Sequence, residues 1–207
     1  MTDARTVLVP PGRVVRWCEN FENRHEGASY AVVDGALRLV GADGATAELR
    51  PPFDREYAGA PSPAMLVAAT EPPASWGVLL VRKGGFAVAR LAGPEIAEHK
   101  IGQRHVQGRT KAGGQSQQRF ARRRDNQARQ AYEAAADHAA RILTAPLRAL
   151  VTGGDHGAVE AVLEDSRLAP LRARVVPPWL AVPDPRRSVL EQAVGEATSA
   201  SFEVTNA

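Results

Sequence analysis

Residues 108–143 read GRTKAGGQSQQRFARRRDNQARQAYEAAADHAARIL, and the reading of this stretch organises the rest of the chain. From about Gln117 to Leu143 its apolar positions recur at helical spacing, which predicts one long helix. At about 100° per residue, Phe120, Ala128, Ala131, Ala135, Ala139 and Ile142 fall on one side. Arg119, Arg122, Arg123, Asn126 and Arg129 fall on the other, with Arg124 nearer the apolar side. An apolar stripe of this kind packs on a sheet while the arginines face outward. Ahead of the helix, Gly108 to Gln115 holds turn and breaker residues and little apolar content, so it reads as a loop.

Upstream of the loop, Gly77 to Arg82 and Phe86 to Leu91 predict two strands around a turn at Gly84-Gly85. A third, more polar strand runs from about Glu95 to Gln103. Beyond the long helix come a strand (Ala149 to Thr152), a helix (about Ala158 to Glu164), a strand (Arg172 to Val176) and a last helix (about Arg187 to Thr198). This alternation predicts an α/β domain, a mixed β-sheet with flanking helices, over residues 76–207. At the other end, Val14, Trp17, Cys18 and Phe21 mark an amphipathic helix over residues 12–26 that Gly27 can end. Tyr30 to Val33 and Leu37 to Val40, with turn signals at Asp34-Gly35 and Asp43-Gly44, begin a meander that runs through Leu49. A small N-terminal α+β unit is therefore expected over residues 1–50. Pro51, Pro52, Pro61, Pro63, Pro72 and Pro73 make residues 51–75 read as a connector.

A chain of 207 residues, 44% hydrophobic and 24% charged, can bury a real core. No apolar run approaches the roughly 20 residues that a membrane-spanning helix needs. The opening MTDARTVLVPPGR carries Asp3 early and lacks the apolar core of a secretory signal. Cys18 is the single cysteine, which excludes an internal disulfide and a multi-cysteine zinc site. These features predict a cytoplasmic location.

The net charge of +3 conceals an uneven distribution. Between Lys100 and Arg129 stand nine basic residues and one acid, Asp125. A basic stripe on an otherwise acidic chain points to a polyanion partner. Its place on the helix points the same way. Cations in a first helical turn oppose the helix dipole, by roughly 0.3–1 kcal/mol each when exposed. Free N–H groups, dipole and arginines instead sum to one positive field suited to phosphate. The nearby aromatic residues, Phe120 and Tyr132, lie toward the core side, which favours recognition of the nucleic-acid backbone over base stacking.

Gly113-Gly114-Gln115 immediately precedes this helix. Glycines permit left-handed backbone angles and close approach to a ligand. Glutamine offers a donor and an acceptor without a titrating charge. The run from Gly113 to Arg124, GGQSQQRFARRR, resembles the catalytic loop and helix of eukaryotic and archaeal class 1 release factors, whose pattern is GGQS-x-x-RFAR-x-R. Gly108 to Ser116, GRTKAGGQS, is most similar to the Vms-like release factors, peptidyl-tRNA hydrolases of ribosome rescue, and among them to the actinobacterial branch. Ala149 to Asp155 (ALVTGGD), the following helix and Leu171 to Val176 resemble the strand-helix-strand that comes after the long helix in those factors. The resemblance covers about residues 76 to 200 and is specific around the loop. No codon-reading domain, cysteine-rich module or ankyrin-like repeat accompanies it, so stop-codon reading is not expected.

The resemblance implies hydrolysis of the ester that joins peptide to tRNA, on stalled ribosomes or large subunits. Gln115 would position water, with its backbone N–H stabilising developing charge. Gly113 and Gly114 would allow the close approach. Arg109, Lys111, Ser116, Arg119, Arg122, Arg123 and Arg129 would hold RNA. The expected partners are the large ribosomal subunit, peptidyl-tRNA and ribosomal RNA, with no DNA and no membrane. A monomer that needs neither cofactor nor metal is expected.

One alternative is a nuclease that cuts the tRNA itself. Such chemistry needs a general acid and base, or a metal, and His99 and His105 are the nearby candidates. Surface or phosphate-binding roles suit both better, because no carboxylate trio or helical histidine pair accompanies them. A second alternative is a non-catalytic RNA-binding factor. Elsewhere, Cys18 reads as a buried structural thiol, and Asp155-His156 as a turn with a helix N-cap. His25 and His138 have no evident partners in the sequence. Trp76 and Trp179 read as core or interface residues. The chain shows no nucleotide-loop, dinucleotide or serine-elbow motif.

Overall fold

The computed structural model describes residues 4–103, 115–144 and 146–206, the stretch 115–127 by its backbone. In chain order its elements are β1 (Ala4–Val9), α1 (Val14–Arg24), β2 (Ala28–Val33), β3 (Ala36–Gly41), β4 (Thr46–Arg50), α2 (Pro63–Ala69), β5 (Trp76–Arg82), β6 (Gly85–Ala92) and β7 (Glu95–Gln103). The second half holds α3 (Gln115–Ile142), β8 (Leu150–Gly154), α4 (His156–Leu163), α5 (Ala169–Arg172), β9 (Val175–Leu180), α6 (Arg187–Ala197) and β10 (Ala200–Thr205). Two compact units result, one of residues 1–72 with 194–207 and the other of residues 73–193.

The first unit is an antiparallel sheet in the order β1-β10-β4-β3-β2. Alternation sends Leu37, Leu39, Ala47, Leu49, Ala200 and Phe202 to one face, where they are buried with Val14, Cys18 and Phe21 of α1 and Leu66 of α2. Trp17 closes this core, with its ring centroid 4.7 Å from that of Phe202. The Asp34-Gly35 hairpin turn has φ of 48° and 70°, the left-handed pair that a two-residue turn requires.

Two expectations change here. Residues 51–75 form more than a connector, because Pro63 opens α2 and Leu66 and Tyr57 enter the core. Proline breaks a helix interior but suits the first helical position, so proline density misreads this segment. The span assigned to residues 76–207 also ends differently. The segment ASFEVT, residues 200–205, alternates like a strand and returns to pair with β1 and β4. Its partner β1 is an element that the short apolar run TVLV alone does not announce.

The second unit is the mixed sheet with flanking helices that the alternation predicts. Its order is β7-β6-β5-β8-β9, with β5, β8 and β9 parallel and β5-β6-β7 an antiparallel meander. β5 is buried from Trp76 to Val81, as a central strand covered on both faces must be. α3 packs on the sheet through Ala135, Ala139 and Ile142. A Cβ at Gly77 would stand 2.9 Å from the Leu143 side chain, so the end of α3 meets the start of β5. Ala131 borders the end of β7 at Gly102 and Gln103. The helix therefore runs antiparallel to these strands. From Ala131 back to Gln115 it continues about 24 Å at 1.5 Å per residue, past the rim where β5, β7, β8 and β9 end. Among the described residues no helix is long and apolar enough to cross a membrane.

Candidate functional site

The Gly-Gly-Gln segment lies between the end of β7 and the start of α3. Arg109, Lys111, Gly113, Gly114 and His105 lie outside the described residues. Gln115 and Ser116 open α3, and Arg119, Arg122 and Arg123 follow on its backbone. Arg129 is exposed, with Nε 3.8 Å from Glu133 one turn on. An exposed pair of this kind is weak, so the Arg129 cation stays available to an anion.

In the described half of α3 the two faces separate as the wheel predicts. Ala131, Ala135, Ala139 and Ile142 are buried, joined by Ala136 and Leu143. Asp137, on the opposite side, accepts a 2.7 Å bond from Arg167, which Asp165 also holds. Arg167 in turn holds the Asp165 carboxyl low, at about 2. Packing thus fixes the C-terminal half against its own domain, with the exposed Asp137–Arg167 pair a minor addition.

The rim at the strand carboxyl ends carries a second set of polar contacts. Arg82 donates to the Val182 carbonyl at 2.7 Å and lies 3.6 Å from both Asp155 and Asp184. Asp155 sits at the N-cap position of α4, as the sequence suggests, but its side chain makes no cap bond and faces Arg82 instead. Arg187 bridges His99 (2.8 Å) and Glu191 (2.6 Å). His99 Nε2 thus accepts from a guanidinium, which ties that ring to α6. Among the described residues no group of three His, Cys, Asp or Glu side chains could hold a metal ion.

A cleft of about 210 Å³ lies between the end of β7 and α3, lined in part by Phe86, Lys100, Gln103, Ala131 and His138. His138 stacks on Phe86 at 5.6 Å and accepts from Arg141 at 3.0 Å. Burial, then Arg141 and Lys100, push its pKa below the usual histidine range, so the ring is neutral at neutral pH. His25, the other histidine without an evident partner in the sequence, donates to Asp43 at 2.7 Å and packs on Phe21. Both partnerships are long-range or depend on side-chain direction, which sequence spacing does not display. Burial pushes the Cys18 thiol up to about 12, with Glu22 and Glu19 adding to the effect. A thiolate nucleophile there is excluded.

Residues 74–203 match the family model described as the Actinobacteria/chloroflexi VLRF1 release factor. That span is well over half of the 207 residues. The chain belongs to this release factor family. The match includes Gly113, Gly114, Gln115 and the whole of α3, whereas residues 1–73 lie outside it. Membership assigns the chain to translation and to action at the ribosome. Among solved structures, the Vms1 mitochondrial localization core is similar over 89% of this chain and 81% of its own, with 11% identity and a TM-score of 0.46. The archaeal translation termination factor aRF1 is similar over 95% of this chain, with 15% identity and a TM-score of 0.44. This chain spans 64% of the length of aRF1. No curated protein matches the chain.

Proposed function

We propose that the chain is a peptidyl-tRNA hydrolase of ribosome rescue, acting on stalled ribosomes or large subunits through Gly113, Gly114 and Gln115. The observation that carries this reading is a Gly-Gly-Gln tripeptide inside the family match, at the head of a 28-residue helix. The helix backbone runs past the sheet rim, which suits presentation of a loop tip at a distance from its own domain. Arg119, Arg122, Arg123 and Arg129, with Arg109, Lys111 and Ser116, bind ribosomal RNA or the tRNA acceptor end. Their charge adds to the positive end of the helix dipole.

Catalysis in this reading asks little of acids and bases on the protein. Glycines let the backbone approach the ester, and the Gln115 backbone N–H points a donor at the oxygen that gains charge. The Gln115 side chain orients the water that attacks the carbonyl carbon, while the tRNA ribose hydroxyl leaves. Loss of water's freedom, in a pocket built mainly of RNA, supplies the rate gain. The reaction takes place in the cytoplasm and requires no cofactor or metal.

Analysis of both products tests the bond that breaks. Large subunits carrying labelled peptidyl-tRNA should yield free peptide and full-length deacylated tRNA. A tRNA shortened at its 3′ end would contradict the proposal and turn attention to phosphodiester cleavage. Binding to the subunit with no released peptide would make the chain an RNA-binding factor.

A further inference from the structure

His156 lies on Trp179 with ring centroids 3.6 Å apart and planes 11° from parallel. Trp179 is half-buried and packs against the hydrophobic core of the second unit. His156 is exposed. The indole is thus anchored from below and the imidazole covers it, leaving the outer imidazole face toward solvent.

The position of this pair matters as much as its geometry. Trp179 stands at the end of β9 and His156 at the start of α4, one residue, Asp155, beyond the end of β8, on the rim where β7 also ends. The exposed Lys83, directly after β5, adds a cation to the same rim, where Arg82 is paired with Asp155 and Asp184. Shielding of an indole needs only an aliphatic side chain. A flat ring stacked in parallel instead extends the indole outward as a second π surface. Every base has a π face, so such a surface accepts unpaired nucleobases with little regard to sequence, and stacking of this type changes affinity by about tenfold per base.

We propose that the His156–Trp179 pair is a stacking platform for an unpaired RNA base, a contact that rests on the release-factor reading but is separate from the Gly-Gly-Gln loop. The base lies on the outer face of His156, and Lys83 meets the adjoining phosphate. The arginines of α3 would supply the sequence-independent backbone contacts, and the platform would add a preference for single-stranded over paired RNA.

The full chain, isotope-labelled, is titrated with a single-stranded hexaribonucleotide and with the same oligomer carrying abasic sites. The His156 ring protons should move upfield, saturably, with the intact oligomer and not with the abasic one. His156→Ala should weaken binding of the intact oligomer about tenfold, and His156→Phe should restore it. Equal binding of intact and abasic oligomers, or unmoved His156 signals at saturation, overturns the proposal in the unmutated chain, whatever the variants do. Rescue by His156→Lys in place of His156→Phe also overturns it, because charge rather than stacking would then be the contact. The Gln115→Ala chain separates the two readings. It should keep the His156 shift whether or not peptide release depends on Gln115.

Discussion

The two halves of α3 follow opposite rules. From Ala131 onward, alanines and Ile142 pack into the sheet, and Asp137 reaches the Arg167–Asp165 pair. From Gln115 to Arg129 the sequence holds five arginines against one acid, Asp125, and at helical spacing Arg119 faces like charge three and four residues on, at Arg122 and Arg123, which costs helix stability. One half is written for stability and the other against it. That division is what the proposed function requires: a root that is part of a domain core and a charged tip left for RNA.

Substitutions graded along the helix can break this comparison. Ala135→Asp puts an unpaired charge into the core and should destabilise the second unit by about 4 kcal/mol or more, as read by chemical unfolding. Ala128→Asp, at a half-buried position, should lower stability by about 1 kcal/mol or less. Equal losses at the two sites would mean that the halves are not distinct. Arg122→Ala and Arg123→Ala should leave unfolding unchanged within about 0.5 kcal/mol. Each should instead lower the slope of log affinity for large subunits against log salt by about 0.7–0.9. A stability loss without a change in slope would assign those arginines to packing.

The smallest effect lies at the root. Asp165 titrates at about 2, below its ordinary value of 3.8, because Arg167 favours the carboxylate. A depressed carboxylate stabilises the fold above its unfolded pKa, and that contribution fades as pH falls from about 4 to about 2. The wild type should therefore lose slightly more stability across this window than Asp165→Asn. Identical acid profiles would show that the pair adds nothing to holding the helix.

Much of this was legible in the chain. Periodicity locates α3, its buried stripe and the β5-β6-β7 meander, because each signal is local and repeats several times. The basic stripe and the tripeptide are likewise local. β10 was missed because a six-residue strand at the chain end gains meaning only from partners, β1 and β4, more than 140 residues away. α2 was hidden by its prolines, which punctuate in most contexts and initiate here. The stacked His156 and Trp179 are 23 positions apart, and only the parallel pairing of β8 and β9 brings them together.

The central claim is tested most directly by release of labelled peptide from peptidyl-tRNA on large ribosomal subunits, comparing the unmutated chain with Gln115→Ala at equal subunit occupancy. The account predicts release by the first and a loss of about 100-fold or more in the second, with binding unchanged. Equal release by both chains would contradict it and remove Gln115 from the chemistry.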